Sequence, residues 1–240
     1  MCDGESSPAN VSQALTMLHR ALGHLNAADV ASLPSAVQAE ALRALERAEA
    51  KHTCARGRVL AAFAAQGGFE DDGHGSARAW LRWQTRITTG AAAGAFGWAR
   101  RLAAHPVIGQ ALAAGELSPS WARLICAWTG RLPEAQRGDA DEILAGAARG
   151  GAHLPGLGGL AQEMYERRCR DGGDDPDDGF GGRYLRLGIT FRGAGRAEGD
   201  LTPGCAAALA AGAGGAGQKA GPEDVRTSAQ RRHDALKEAW

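Results

Sequence analysis

The 240-residue sequence lacks a net charge, a long apolar run and a secretory signal. Its 27 basic and 27 acidic side chains cancel, which argues against a histone-like protein because neutralising many phosphates needs a surplus of Lys and Arg. No stretch approaches the roughly 20 apolar residues of a membrane span, and no basic region followed by an apolar block opens the chain. The sequence therefore predicts a cytoplasmic protein that does not interact with a membrane.

Paired cysteines and clustered histidines are also missing. The five cysteines are scattered and none forms a Cys-x-x-Cys pair, which predicts free thiols and neither a disulfide framework nor a zinc site. His19 and His24 lie five residues apart, off a common helical face, and the other histidines are isolated. No Ser/His/Asp or Cys/His arrangement is recognisable. We therefore assign no catalytic residue, no metal site and no cofactor to this chain.

The composition, with 44% hydrophobic and 22% charged residues, is typical of a globular protein with a core. Leucines at helical spacing predict an amphipathic helix over residues 11–28, and a charged outer face accompanies a long predicted helix over residues 35–63. Capping hydroxyls and N1 prolines predict shorter helices. These cover residues 76–86, 88–104, a short segment from Pro106, 118–130, 133–148 and 157–169.

The chain is predicted to have four parts. They are an N-terminal leader and helix (1–32), a helical core (33–170), an acidic Gly/Asp linker (171–182), and a β-hairpin with C-terminal helices (183–240). Gly212 to Gly217 are predicted to interrupt the helix that begins at Thr202-Pro203, because each glycine costs about 1 kcal/mol relative to alanine. The predicted fold is mainly α, a multi-helix bundle with a small β-hairpin and a loose C-terminal helix.

The most informative local feature is an acid-free stretch. Between His74 and Gly115 there is no Asp or Glu, although the stretch contains five arginines. They are Arg78, Arg82, Arg86, Arg100 and Arg101. Two interpretations remain open, a surface that binds DNA phosphates through guanidinium groups and an ordinary solvated helix face.

Helical geometry makes this stretch more specific. Four residues advance an α-helix by about 400°, which predicts one nearly aligned stripe of Arg78, Arg82 and Arg86. Trp80, Trp83 and Ile87 are then predicted to face the core. The two helices around the turn at 88–90 have the length of a helix-turn-helix or of an αα-hairpin. Since the second helix begins with alanines and glycines, any DNA recognition here would be of the backbone.

An ordered series of segments resembles a known family. The segments are 79–82 (AWLR), 87–90 (ITTG), 97–102 (GWARRL), 113–118 (AAGELS) and 121–123 (WAR), then 163–166 (EMYE), 183–187 (RYLRL), 199–203 (GDLTP), 220–224 (AGPED) and 230–236 (QRRHDAL). Over roughly residues 33–240 the chain is similar to the domain of unknown function 222, or 13E12 repeat family, of actinobacterial proteins. In that family the domain usually precedes an HNH nuclease module.

The resemblance implies an accessory domain of an HNH endonuclease-like protein. The catalytic histidines and cysteine clamps of an HNH site do not occur here, so a divalent metal would belong to the absent module. A helix that is still under way at Trp240 leads us to expect a sequence cut before that module. The leading hypothesis is contact with double-stranded DNA through the five arginines. The alternatives are a helical module for protein interaction or self-association, with the long 35–63 helix as its surface, and a nonfunctional truncated remnant.

Overall fold

The computed structural model describes residues 10–170, 183–189, 193–215, 221 and 223–238. Over these residues the chain is mainly α-helical, with ten α-helices, one short 3₁₀-helix at Val30–Ser32 and one antiparallel β-hairpin. The helices are α1 (Val11–Ala27), α2 (Ser35–Ala65), α3 (Ala77–Thr85), α4 (Thr89–Ala104), α5 (Pro106–Ala114), α6 (Pro119–Thr129), α7 (Glu134–Arg149), α8 (Leu154–Arg170), α9 (Pro203–Gly215) and α10 (Ser228–Glu238); the strands are β1 (Tyr184–Ile189) and β2 (Gly195–Asp200). The chain divides into two compact units, Met1–Glu163 and Met164–Trp240. The predicted linker at 171–182 lies outside the described residues.

Local capping explains why the short helices begin where the sequence predicts. The hydroxyls of Ser76, Thr88 and Ser118 each accept the backbone N–H three residues later, at 3.2, 3.2 and 3.3 Å. Pro106 and Pro119 occupy the first helical positions, where a missing N–H costs nothing. The predicted starts of α3, α4, α5 and α6 are therefore confirmed.

Helix α5 is central to the first unit, because it packs against α2, α4, α6 and α7. Its apolar side chains Ile108 and Leu112 are fully buried, and so are Ile125 of α6 and Leu144 of α7. Where α2 meets α4, Gly57 allows close approach: a Cβ at this position would lie 2.5 Å from Cδ1 of Leu102. These contacts hold α4 against both α2 and α5.

Helix α1 is a confirmed prediction with an unexpected environment. It spans Val11–Ala27 and is capped by Asn10, whose side chain accepts the N–H of Gln13. None of its side chains is buried. The predicted apolar side of the helix therefore faces solvent in a single copy of the chain.

The second unit contains the hairpin and the last two helices. Strand β1 pairs with β2 from Tyr184 opposite Asp200 to Ile189 opposite Gly195. Gly199 lies opposite Leu185, and a Cβ on it would come within 3.0 Å of the Leu185 Cα, so this position needs glycine. The hairpin is the one predicted from the sequence.

Helices α9 and α10 pack against each other. The capping box at the start of α10 forms as predicted, since Thr227 N–H donates to the Gln230 side chain at 2.7 Å and Gln230 N–H donates to Thr227 Oγ1 at 3.2 Å. The predicted interruption at Gly212 is wrong, because α9 continues through Gly212 to Gly215. Glycine weakens a helix but keeps both backbone hydrogen-bonding groups, and the alanines before it favour the helix. Gly217, and the side chains of Leu236 and Trp240, lie outside the described residues.

Candidate nucleic-acid interface

The five arginines lie on α3, on α4 and in the turn between them. Arg82 Nη1 lies 3.5 Å from Thr89 Oγ1, and the Arg78 guanidinium lies 5.8 Å from the centre of the Phe96 ring. Arg82, near the end of α3, thus contacts Thr89 at the start of α4, whereas the earlier Arg78 contacts a residue further along α4. The two helices are therefore antiparallel neighbours, as in an αα-hairpin.

These two contacts lie on a single stripe of α4. Thr89, Phe96 and Arg100 are spaced seven and four residues apart, which places them on one side of an α-helix, about 10 Å and 6 Å apart along its axis. Arg82 contacts the first of them and Arg78 the second, while Arg100 is the third. We call the surface formed by Arg78, Arg82 and Arg100 the arginine face.

The structure separates the other two arginines from this face. Arg101 lies one residue further around α4, with its guanidinium 5.5 Å from the centre of the Trp98 ring. Partial burial lowers the pKa of Arg101 from its usual value, and the neighbouring charges of Arg123 and Arg100 lower it further. Arg101 therefore belongs to a second group of positive charges, which it forms with Arg123 of α6.

Arg86 departs from the predicted stripe. Helix α3 ends at Thr85, and Arg86 adopts a left-handed backbone with φ 53° and ψ 30°. It is the only non-glycine residue with positive φ in the described part of the chain, a conformation that costs about 1 to 2 kcal/mol. The stripe of Arg78, Arg82 and Arg86 is thus wrong in its last member, which lies exposed at the turn into α4.

All five arginines lack an acidic partner in the part of the chain that the structure describes. Within the described residues none of the five forms a salt bridge, whereas Arg43 and Arg47 pair with Glu40, and Arg149 pairs with Glu116 and Glu142. The absence of Asp and Glu between residues 74 and 115 explains this difference. The arginine face can therefore bind an external anion without first breaking an internal ion pair.

The predicted apolar side of α3 is correct for two residues and wrong for one. Trp80 packs on Phe63, with ring centres 4.4 Å apart, and its indole N–H donates to Asp72 at 2.6 Å. Ile87 packs against the cluster of Leu60, Leu81 and Ala95. Trp83, in contrast, is 74% exposed. Two residues advance a helix by about 200°, so Trp83 points away from the buried Leu81.

The structure also contains a buried polar cluster that the sequence did not reveal. His105 Nδ1 donates to Asp141 Oδ2 at 2.9 Å, and the Thr129 hydroxyl donates to Asp141 Oδ1 at 2.6 Å. All three residues are at most 5% exposed. His105 joins α4 to α5, so the cluster ties this junction to α6 and α7. A carboxylate on the apolar stripe of α7, among Ala140, Leu144 and Ala145, was the only signal for it.

This cluster is structural in its chemistry. The Thr129 hydroxyl donates to the carboxylate and lies 3.4 Å from the histidine Nδ1 that Asp141 already holds, so it is not activated as a nucleophile. Burial, followed by the charge of Asp141, raises the pKa of the nearby Cys126 thiol to about 12, which keeps it protonated and unreactive. Among the described residues, no group of His, Cys, Asp or Glu is arranged to hold a metal ion.

The fold and surface define a class: a mainly α-helical domain whose arginine face has no acidic partner among the described residues. The family model for a domain of unknown function, DUF222, matches residues 35–240. The chain therefore belongs to the DUF222 family. No curated protein and no solved structure shows a significant match. None of the described helices is long and apolar enough to cross a lipid bilayer.

Proposed function

We propose that this chain is an accessory domain that contacts the DNA backbone through its arginine face. The observation that carries the proposal is that Arg78 and Arg82 of α3 contact the stripe of α4 that includes Arg100. None of the three forms an ion pair with an acidic residue in the part of the chain that the structure describes. Guanidinium groups form paired hydrogen bonds with phosphate oxygens. After Thr89, whose hydroxyl already contacts Arg82, the first turns of α4 contain only alanines and glycines. These residues cannot read base edges, so binding would be largely independent of sequence.

Removing the arginine face should change the salt dependence of binding. Each phosphate contact contributes about 0.9 to the slope of log affinity against log salt on duplex DNA. The triple variant Arg78→Ala/Arg82→Ala/Arg100→Ala is therefore expected to lower the magnitude of that slope by about 2 to 3 and to weaken binding to unrelated duplexes equally. Fluorescence anisotropy with labelled duplexes over a salt series measures both quantities.

A matched control removes the same charge elsewhere. Arg43→Ala/Arg47→Ala/Arg149→Ala deletes three exposed arginines that already form ion pairs. This variant should change the slope of log affinity against log salt by less than about 0.5. Wild-type protein that does not bind duplex DNA, or binds it without salt dependence, would overturn the proposal. Equal changes in the two triple variants would show that only net charge matters.

The wider context belongs to the same proposal. This part of the proposal rests on the family resemblance. In the proteins that the chain resembles, the domain precedes an HNH nuclease module, and an accessory domain would hold DNA for that nuclease. A reducing cytoplasm is the compartment that suits its unpaired cysteines; Cys54, Cys126 and Cys205 form no disulfide. Hydrolysis itself, and any divalent metal, would be contributed by the HNH module.

A second candidate function is self-association through α1, favoured by the exposure of that helix. Val11, Leu15, Leu18, Leu22 and Leu25 follow the alternating spacing of four and three residues that forms a coiled-coil seam, and they are 41–72% exposed. The flanking positions are Ser12, Ala14, His19, Ala21 and Asn26, which include no Asp, Glu, Lys or Arg. Identical helices would therefore pair without charge repulsion. The partner proposed for this seam is a second copy of the chain.

Charges placed in the seam should prevent that pairing. Leu18→Asp/Leu22→Asp would have to bury two carboxylates per helix, so the double variant is expected to stay monomeric at concentrations where the wild type forms dimers. Val59→Asp, at an exposed apolar position on α2, is the control and should still dimerise. Light scattering over a concentration series measures the mass. A wild type that is monomeric throughout would contradict this second function.

A further inference from the structure

Trp83 is a large aromatic side chain that the folded chain leaves exposed. It is 74% exposed, and within the described residues its ring meets no other aromatic ring and its indole N–H reaches no acceptor. The neighbouring Trp80 on the same helix has both kinds of contact. Because tryptophan is highly buried on average, its exposure here points to a partner outside the chain.

The surroundings of Trp83 indicate what kind of partner fits. Arg82, a member of the arginine face, precedes it in the chain. Arg86, which forms no salt bridge within the described residues, follows it by three residues at the turn into α4. An exposed aromatic ring flanked in the chain by arginines is a combination with which proteins hold single strands: bases stack on the ring and guanidinium groups contact the phosphates. In an intact duplex the faces of the bases are covered by their neighbours, so such a ring finds no partner there.

We propose that Trp83 stacks on an unpaired DNA base while Arg82 and Arg86 hold the adjoining phosphates, so that this surface prefers single-stranded or locally opened DNA to intact duplex. The inference rests on the proposed function, since it uses Arg82 of the arginine face. It adds the class of substrate, which the arginines alone do not determine. A phosphate contact is available from either form of DNA, whereas a base face is available only from an unpaired nucleotide.

Two substitutions at Trp83 test the stacking. Trp83→Ala is expected to weaken binding of a fluorescent single-stranded oligothymidine roughly tenfold or more and to leave binding of a blunt duplex unchanged. Trp83→Phe keeps a flat ring and should retain most of the single-strand affinity. It should also remove the part of the tryptophan-fluorescence quenching that we expect from Trp83 when the wild type binds. Since the side chain is exposed, both variants should unfold at the wild-type temperature.

Ile143→Ala is the matched control, because it removes a large exposed apolar side chain from α7. It should bind both probes like the wild type. Equal loss of single-strand and duplex affinity in Trp83→Ala, or no loss of either, overturns the inference while salt-dependent duplex binding still supports the proposed function. If the wild type binds neither probe, the proposed function fails, and the inference fails with it.

Discussion

Replacing His105 by alanine is expected to lower the free energy of unfolding by about 3 to 5 kcal/mol. The substitution leaves the Asp141 carboxylate, which is 0% exposed, with the Thr129 hydroxyl as its remaining side-chain hydrogen-bond partner. A buried carboxylate that has lost a hydrogen-bond donor costs far more than the hydrogen bond itself contributed. Urea denaturation followed by circular dichroism measures the loss.

Two further variants separate the pair from other effects of the mutation. His52→Ala changes an exposed histidine on α2 and should alter stability by less than about 0.5 kcal/mol. In His105→Leu/Asp141→Leu no charge remains buried, and the Thr129 hydroxyl can donate to the Ile125 carbonyl oxygen, which lies 3.0 Å away. This double variant should recover much of the stability that His105→Ala loses. A double variant less stable than the single one would show that the pair itself stabilises the fold.

The helices could be predicted from the sequence because their signals are local. A cap or an N1 proline acts within one turn, so Ser76, Thr88 and Ser118 mark helix starts whatever the helix packs against. The prediction for Trp83 failed for the opposite reason. Whether one side of a nine-residue helix is buried depends on the neighbouring helices, and α3 buries only Ala77 and Leu81.

The charge of the candidate site could be predicted from the sequence, but its geometry could not. The missing Asp and Glu between residues 74 and 115 are visible in the sequence, and they account for arginines without ion pairs. Only the packing of α3 on α4 shows that Arg100 lies on the same face as Arg78 and Arg82. The structure also shows that Arg101 contacts Trp98, and that Arg86 lies beyond the end of α3. The pair of His105 and Asp141, 36 residues apart in the chain, depends on α7 meeting the α4–α5 junction, for which no local pattern exists.

The second large effect is expected at Leu112. This side chain of α5 is 0% exposed, so Leu112→Ala leaves a cavity among packed helices and should lower the free energy of unfolding by about 2 to 5 kcal/mol. Leu42→Ala on α2, where the side chain is 64% exposed, removes the same atoms from a side chain that lies largely in solvent and should cost less than about 1 kcal/mol. Thermal and urea denaturation of both variants measure the difference.

The Leu112 variant also distinguishes folding from binding. Helix α5 packs against α4, which contributes Arg100 to the arginine face, but Leu112 itself lies in the core and presents nothing to solvent. At a temperature where Leu112→Ala is still folded, its affinity for duplex DNA should match that of the wild type. The triple arginine variant should behave in the opposite way, with wild-type stability and weak binding. A Leu112→Ala protein that is folded yet binds poorly would mean that core packing sets the position of α4. The core residues of α5 and the arginines of the face would then be coupled, and DNA binding would depend on the packing of α5 as well as on the charges of the arginine face.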